Sequence, residues 1–323
     1  MNKKSKPFLQ NKIFGHFIAG VFFVAVGFFF YSAAANMNYI WKWTSVPKYF
    51  VYDETITIKS PATGKLFEKN GAFFIQQEKN LVKLENLDDS FKFDYKIDEK
   101  IYEGDFIAKK TVIKAGPVLN GLYVTIKVSL FAAILAVIIG VIISSMKLSS
   151  YIFLRDIASV YITVIRGTPL LVQIFLFYFI VANIFGLERF TAGVLSLGVF
   201  FGAYMAEVLR GAIQSIDKGQ IEAAKSLGIN MFDTMRHIVM PQAIKRALPT
   251  IVGEFIALVK DSSLISVISI TDLTKVGKEI VANTFSPFET WIVIALLYLT
   301  ITSTLSFIGH KIEKRLKAKG GLS

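Results

Sequence analysis

Six long apolar stretches constrain this chain more than any other feature of its sequence. They cover residues 13–35, 121–145 (interrupted by Lys127), 169–185, 190–206, 251–270 and 291–308, and the fifth is the weakest. A helix needs about 20 residues to cross about 30 Å of hydrocarbon, and within lipid such a helix satisfies its own backbone hydrogen bonds. The mean hydropathy of +0.52 is too high for an ordinary soluble protein. We therefore expect an all-α membrane protein with six spans.

The basic residues predict how the chain is oriented in the membrane. The net charge of +12 is concentrated in residues 1–12, 146–167, 210–250 and 310–323. Residues 36–116 carry 13 lysines and 12 acidic residues and are nearly neutral. Because basic loops stay on the cytoplasmic side, we expect both termini and residues 210–250 in the cytoplasm. Basic and neutral segments alternate as spans require, so the charge indicates membrane topology and not nucleic-acid binding.

The first apolar stretch has two interpretations. Its basic start, its Phe-rich middle and the run Ala33-Ala34-Ala35 are typical of a cleaved secretory signal. Residues 13–35 are nevertheless longer than the apolar core of a usual signal, about 7–15 residues. The length favours a retained membrane anchor, and both interpretations place residue 36 onward outside the cytoplasm.

The segment between the first two apolar stretches has the pattern of strands. Apolar and charged residues alternate over residues 91–97, as in a half-buried strand. The pair Asn70-Gly71 between two apolar segments predicts a hairpin. Residues 60–64 and 104–105 resemble the small sandwich domains of membrane adaptors. We expect a small β-rich extracytoplasmic insert, with a structural or partner-contacting role.

Patterns typical of catalysis or metal binding are absent from the sequence. There is no cysteine, and His16, His237 and His310 are too far apart for a metal-ligand spacing. The sequence also contains no phosphate-binding P-loop, zinc-protease or nucleophile-elbow pattern. We therefore expect no metal, no cofactor, no covalent chemistry and no ATPase activity in the chain itself.

Residues 219–241 form a polar island between two apolar stretches. We predict a short helix over residues 219–227, followed by Gly228 in the left-handed conformation that glycine tolerates. Ile221, Ala224 and Leu227 would give this helix one apolar stripe. The small side chains of Ala223 and Ala224 would let a partner approach its backbone.

The end of the island is predicted to start another helix. Asn230 is placed to cap it, with Asp233 in the capping-box position. Pro241 would then bend the chain or begin a further helix. The island is thus predicted to form a compact helical knob, which would transmit displacement to neighbouring helices; an amphipathic helix lying on the membrane is the alternative.

The island resembles the loop by which permease subunits of ATP-binding-cassette (ABC) importers dock on their ATPase. The residues that carry the resemblance are Gly219, Gln220, Glu222, Ala223, Ala224, Leu227, Gly228, Ile238 and Pro241. Four further segments, 166–173, 204–211, 240–243 and 260–264, are similar to polar amino-acid permeases in order and spacing. Met240 and Ser262 depart from that pattern, where leucine and threonine are usual.

This resemblance covers about residues 115–315 and implies a five-helix type I permease core in the bacterial inner membrane. It also implies ATPase subunits, an extracytoplasmic solute-binding protein and a second permease as partners, with a polar amino acid as the transported solute. The expected parts are therefore a tail and helix (1–36), the β-rich insert (37–114), the permease (115–312) and a basic tail (313–323). The alternatives are a permease for an osmoprotectant or methionine and a membrane-anchored scaffold.

Ionisable and polar residues within apolar stretches mark candidates for the translocation path. These candidates are Gln173, Glu207, Glu254, Lys260 and Asp261. Glu207 and Arg210 are three residues apart on one helix face and can pair. That pair is expected to position the docking loop, with direct solute contact as the alternative, while Gln173 faces either a cavity or a neighbouring helix.

Overall fold

The computed structural model describes residues 12–36, 39–69, 72–77, 80–84, 87 and 90–318. The chain divides into two compact units, Met1–Thr44 and Ser45–Ser323.

The first unit contains helix α1 (Lys12–Asn36) and an aromatic segment after it. α1 is mostly apolar between Lys12 and Asn36, and it continues as a helix through the alanine run at its carboxyl end. The Trp41 ring stacks on Trp43 with centroids 5.8 Å apart and meets Tyr39 edge-on at 5.4 Å. Amphipathic rings of this kind are typical of a membrane–water interface.

The second unit begins with the short helix α2 (Val46–Phe50) and two antiparallel sheets. The strands are β1 (Val51–Lys59), β2 (Gly64–Lys69), β3 (Ala72–Gln76), β4 (Leu81–Lys83), β5 (Lys92–Phe93), β6 (Lys100–Ile101) and β7 (Phe106–Ala115). One sheet has the strand order β1-β7-β5 and the other β4-β3-β2-β6. The predicted β-rich insert is therefore confirmed as a small sandwich.

Both sheets contribute side chains to one core between them. Leu66, Ile75 and Ile101 come from one sheet and Ile107 from the other, and all four are almost fully buried. The strand predicted over residues 91–97 is wrong in length, because only Lys92–Phe93 pairs with a neighbour. In the predicted hairpin, β2 and β3 pair with Lys69 opposite Ala72, and Asn70-Gly71 itself lies outside the described residues.

The sandwich is joined tightly to the helices that follow it. The Gly116 amide donates a hydrogen bond to the Phe50 carbonyl at 2.6 Å, and a Cβ at Gly116 would collide with the Tyr49 backbone. The Tyr49 side chain packs in a cluster with Val118 and Leu273. Helix α2, which leads into the sandwich, thus contributes to the hydrophobic core of the helical region.

The helical region is ordered along the chain as follows. It contains α3 (Pro117–Leu148), α4 (Ile152–Gly167), α5 (Leu170–Leu176), a π-helical segment (Phe177–Ala182), α6 (Asn183–Phe185), α7 (Arg189–Gln214), α8 (Lys218–Ser226), α9 (Met231–Asp233), a second π-helical segment (Thr234–Val239), α10 (Met240–Asp261), a 3₁₀ segment (Ser262–Ile268), α11 (Leu273–Thr284) and α12 (Pro287–Ala318).

Four described helices are long and apolar enough to cross a membrane, namely α1, α3, α7 and α12. α4 (Ile152–Gly167) and the helical run from α5 to α6 (Leu170–Phe185) are long and apolar enough to span a membrane only when they are taken together, and the two are bent by 109°. The fifth of the six predicted spans, over residues 251–270, is wrong as a single helix. α10 ends at Asp261 and a 3₁₀ segment follows, so the polar pair Lys260-Asp261 marks the end of the helix.

The helix of the third apolar stretch begins one residue after the start of that stretch at residue 169. Pro169 is the N-cap of α5 and has extended backbone, so the first helical residue is Leu170. Thr168 is the C-cap of α4, and its hydroxyl donates to the Val164 carbonyl at 2.9 Å. The residue before a proline avoids the helical region, which explains why α4 stops here and does not continue into α5.

Helices α3 and α7 pack closely because glycine faces a large side chain at three levels. A Cβ placed on Gly198 would lie 2.5 Å from Leu135 Cδ2, and one on Gly202 would lie 2.7 Å from Ile139 Cγ2. On the other helix, a Cβ on Gly140 would lie 2.7 Å from Met205 Cβ. Small residues let membrane helices approach in this way.

We expect the substitution Gly198→Val to destabilise the protein, whereas Gly211→Val on the same helix does not. A valine at position 198 would force Leu135 out of place, at a cost of about 1–3 kcal/mol, whereas nothing lies within 4 Å of a Cβ on Gly211. Thermal unfolding in detergent measures the difference. Equal melting temperatures for the two variants would contradict the close packing of α3 and α7.

Candidate functional site

The knob predicted for residues 219–241 begins with a capped helix. The Asp217 carboxylate accepts a hydrogen bond from the Gly219 amide at 2.9 Å, and α8 starts at Lys218, one residue before the predicted start. A side-chain acceptor at this position satisfies a free N–H of the first turn. The predicted short helix is confirmed, and Asp217 is a cap that the sequence analysis missed.

The end of α8 has the geometry expected of a glycine-terminated helix. Gly228 has φ +77°, in the left-handed region. Its amide donates to the Lys225 carbonyl and the Ile229 amide donates to the Ala224 carbonyl, each at 3.0 Å. These two bonds form a Schellman motif, which satisfies carbonyls left free at the end of a helix. The predicted left-handed conformation of Gly228 after the end of the helix is confirmed.

The next helix is capped as predicted, with one difference in detail. Asn230 Oδ1 accepts a hydrogen bond from the Asp233 amide at 2.9 Å. The Asp233 carboxylate accepts from the Asn230 side-chain amide at 2.7 Å, whereas in a capping box it would accept from the backbone N–H. Pro241 occupies the first turn of α10, so it begins a further helix.

The apolar stripe predicted for α8 is only partly correct. Ala224 is buried and Ile221 packs against a cluster that includes Ile216, Val239 and Ala243. Leu227 is 80% exposed and does not join them. Ala224 therefore faces the protein's own helices, while Ala223 and Glu222 face solvent.

Polar contacts join the knob to α10, and α10 to the end of α7. The Gln242 side chain donates to Gln220 Oε1 at 2.6 Å and to the Ile238 carbonyl at 2.9 Å. The Arg246 guanidinium donates to the Ser215 carbonyl and, at 3.1 Å, to its hydroxyl. α8 is therefore bonded to the start of α10, and α10 in turn to the end of α7.

The outer surface of the knob is apolar at its tip. Leu227, Met231 and Phe232 are 80%, 60% and 70% exposed. Exposed apolar residues that cluster beside polar ones are typical of a protein interaction site. Glu222 and Gly228 adjoin this tip in the same loop and are exposed too.

A second group of candidate residues lies within the helical region and consists mainly of charged side chains. Arg210 Nη2 contacts Glu207 Oε2 at 2.7 Å, which confirms the predicted pair. The Arg166 guanidinium lies 5.0 Å from the centroid of the Tyr204 ring and is close enough for its charge to act on Glu207 and Glu254. Arg166 was missed as a site residue, although it begins one of the segments that carry the resemblance.

The structure separates the remaining path candidates. Asp261 is close enough to act electrostatically on Glu254. Lys260 instead lines a cleft of about 310 Å³ with Ser263, Thr274 and Tyr298. The five candidates are therefore not gathered in one place.

Gln173 lies at the bend between α4 and α5. It is buried, and its amide nitrogen donates to the Ile165 carbonyl and to the Thr168 hydroxyl, each at 2.7 Å. Of the two alternatives for Gln173, the structure supports contact with the neighbouring helix. Its amide bonds to groups freed by the helix break, and its Oε1 atom is buried without a partner among the described residues.

The chain was compared with known proteins by sequence and by structure. Residues 127–318 match the family described as "Binding-protein-dependent transport system inner membrane component". The glutamine transport system permease protein GlnP of Escherichia coli (strain K12) is 37% identical over 202 residues, which are 62% of this chain and 92% of that protein. The arginine transport system permease protein ArtQ of Bacillus subtilis is 36% identical over 203 residues, which are 62% and 93%.

The solved structures agree with these relatives. The crystal structure of an amino acid ABC transporter with histidines is 42% identical, has a TM-score of 0.58, and the match covers 62% of this chain and 94% of that one. An inward facing structure of the MetNI methionine ABC transporter is 17% identical with a TM-score of 0.55, which supports the type I fold alone.

These matches confirm the predicted permease and disfavour the scaffold alternative. The family match begins within α3 and runs to the end of α12, whereas α1 and the sandwich precede it. The relatives are permease subunits, so ATP hydrolysis belongs to a partner of the chain. The family, together with the apolar helices, also places the chain in the inner membrane as a multi-pass protein. The chain belongs to the family of binding-protein-dependent transport system inner membrane components.

Proposed function

We propose that this permease imports polar amino acids with ATPase subunits on the cytoplasmic side and a solute-binding protein outside. The support for an amino-acid cargo is the similarity to glutamine and arginine permeases and to a solved amino acid transporter. A second permease, either another copy of this chain or an unlike one, completes the translocation path. Residues 115–312 act as the permease domain.

The proposed orientation places both termini in the cytoplasm. Residues 1–36 then cross the membrane as a retained helix, residues 37–114 lie outside, and the basic tail 313–323 lies inside. The positive-inside distribution of lysine and arginine supports this arrangement. It sets the knob on the cytoplasmic side, where an ATPase acts.

Coupling to the ATPase is proposed to occur through the knob. The contact residues are Gly219, Gln220, Glu222, Ala223, Gly228 and the apolar tip, while Ala224 and Pro241 act from beneath it. The Gln242 bond to Gln220 supports this role because it links the knob to α10, and the Arg246 bond to Ser215 links α10 in turn to the end of α7. A packed helix pair of this kind moves as a unit, so displacement of the knob by an ATPase would move both helices.

The translocation path is proposed to pass Glu207, Glu254 and Asp261, with Arg166 among them. Placing a carboxylate inside the membrane costs free energy, so such residues usually mark a transport pathway or an ion pair. Arg166 offsets part of their charge, and the remaining negative charge suits the ammonium group that every amino acid carries. Lys260 borders the path from the separate cleft, and Gln173 holds the bend beside it.

The test is ATPase activity in vesicles that contain the permease, its ATPase and its binding protein, screened over the amino acids. A polar amino acid is expected to stimulate hydrolysis several-fold and to accumulate in the vesicles. Stimulation by methionine or by an osmoprotectant, with none by polar amino acids, would overturn the proposed cargo and leave the permease assignment intact.

A further inference from the structure

An apolar groove of about 740 Å³ lies between α3, α10 and α12. Ile126, Leu130 and Ile134 of α3 form one wall, Phe255 of α10 forms another, and Ile301 of α12 closes the third side. Along α3 the lining residues run from Ile126 to Ile138, which corresponds to about 18 Å at 1.5 Å per residue. That length is close to the depth of one leaflet, half of the hydrocarbon thickness of about 30 Å.

The surface of the groove is apolar, although three residues with hydroxyl groups line it. Thr300 and Thr304 each donate their hydroxyl to a carbonyl of their own helix at 2.7 Å. The Ser129 hydroxyl is shielded from solvent. A polar solute would therefore find few hydrogen-bonding groups here, whereas an acyl chain needs none.

Lys127 provides a positive charge near one end of the groove. It lies three and seven residues before the lining residues Leu130 and Ile134, so it is on the same face of α3. Its ammonium nitrogen is 5.1 Å from the Phe190 ring centroid and 5.8 Å from that of Tyr123. Lys127 is exposed, and no carboxylate in the described part of the chain forms an ion pair with it.

We propose that an anionic glycerophospholipid occupies this groove, with its phosphate at the Lys127 ammonium and one acyl chain between α3, α10 and α12. The two aromatic rings hold the cation in place, and a phosphate supplies the ion-pair partner that no carboxylate in the described part of the chain provides for Lys127. Phe190 is the second residue of α7, and the orientation given under the proposed function places this start of α7 on the outer side of the membrane. The lipid therefore belongs to the outer leaflet, a detail that depends on that orientation.

The first test is lipid retention, measured by native mass spectrometry after exchange of the purified protein from membranes into detergent. The natural protein is expected to keep phosphatidylglycerol in preference to phosphatidylcholine. Lys127→Gln should reduce that retention at least fivefold, whereas Lys127→Arg should stay within about twofold. Lys311→Gln, which removes an exposed lysine from α12, is the matched control. Equal retention of both lipids, or no effect of Lys127→Gln, would overturn the proposal.

The second test uses the absence of cysteine from the chain. A single Ile134→Cys substitution carries a fluorophore into the groove, and spin-labelled phosphatidylglycerol should quench it more strongly than spin-labelled phosphatidylcholine. Efficient disulfide cross-linking of two Ile134→Cys chains in membranes would instead show that a second copy fills the groove, and would reject the lipid. Neither readout involves transport, so a wrong cargo leaves this result unaffected.

Discussion

ATP-driven uptake should fall more than tenfold when Gly228 is changed to valine, with loss of the ATPase from the purified complex. Gly228 has φ +77°, a conformation that is a genuine outlier for a β-branched residue. Adopting it costs an ordinary residue about 1–2 kcal/mol. The end of α8 would have to rearrange, and with it the exposed tip at Leu227, Met231 and Phe232. Copurification of the ATPase and uptake in vesicles are the two measurements.

Two other substitutions separate a local effect from general misfolding. Gly186 is also left-handed, with φ +62°, but it lies at the end of α6, away from the knob. Gly186→Val therefore introduces similar strain and should leave the ATPase bound. Gly228→Asn should keep most of the activity, because asparagine tolerates the left-handed region.

A change of charge tests the same surface without backbone strain. Glu222 is exposed, so Glu222→Lys should leave the melting temperature unchanged and still weaken binding of the ATPase. If both Gly228→Val and Glu222→Lys retained the ATPase at the natural level, the knob would not be its docking surface.

Much of this fold could be predicted because local rules agree with the final structure. A glycine after a short polar helix and an asparagine before the next one each have one favoured role, and Gly228 and Asn230 both fulfil it. The charged pair Glu207–Arg210 followed from a spacing of three on a helix. Predictions of this kind need only neighbours along the chain.

The errors arose where distant contacts decide the outcome. The stripe on α8 was extended to Leu227 because periodicity does not reveal where a helix leaves the protein surface. The span over residues 251–270 ends early because a 3₁₀ segment follows α10. Arg166 was missed as a site residue because its contact with Tyr204, 38 positions later in the sequence, forms only in the folded protein.

Replacing Glu254 by glutamine should reduce amino-acid uptake at least about tenfold and leave the ATPase bound. Glu254 is half-buried on α10, in range of the charges of Arg166 and Asp261. The substitution keeps the shape of the side chain but removes the negative charge proposed to attract the ammonium group of the solute. A tenfold loss corresponds to about 1.4 kcal/mol, just below the range of about 1.5–3 kcal/mol expected for a hydrogen bond to a charged group, so the loss of such a bond is expected to cost at least this much.

The controls for Glu254 distinguish a solute contact from a structural charge. Glu279→Gln removes an exposed carboxylate that pairs with Lys275 at 3.5 Å, and uptake should not change. Glu254→Asp should keep part of the activity, because the charge remains. If Glu254→Gln lowered the melting temperature together with uptake, Glu254 would serve to balance the charge of Arg166 within the protein. Unchanged uptake in a stable Glu254→Gln protein would remove Glu254 from the path altogether, since a carboxylate that meets every passing solute must affect its rate.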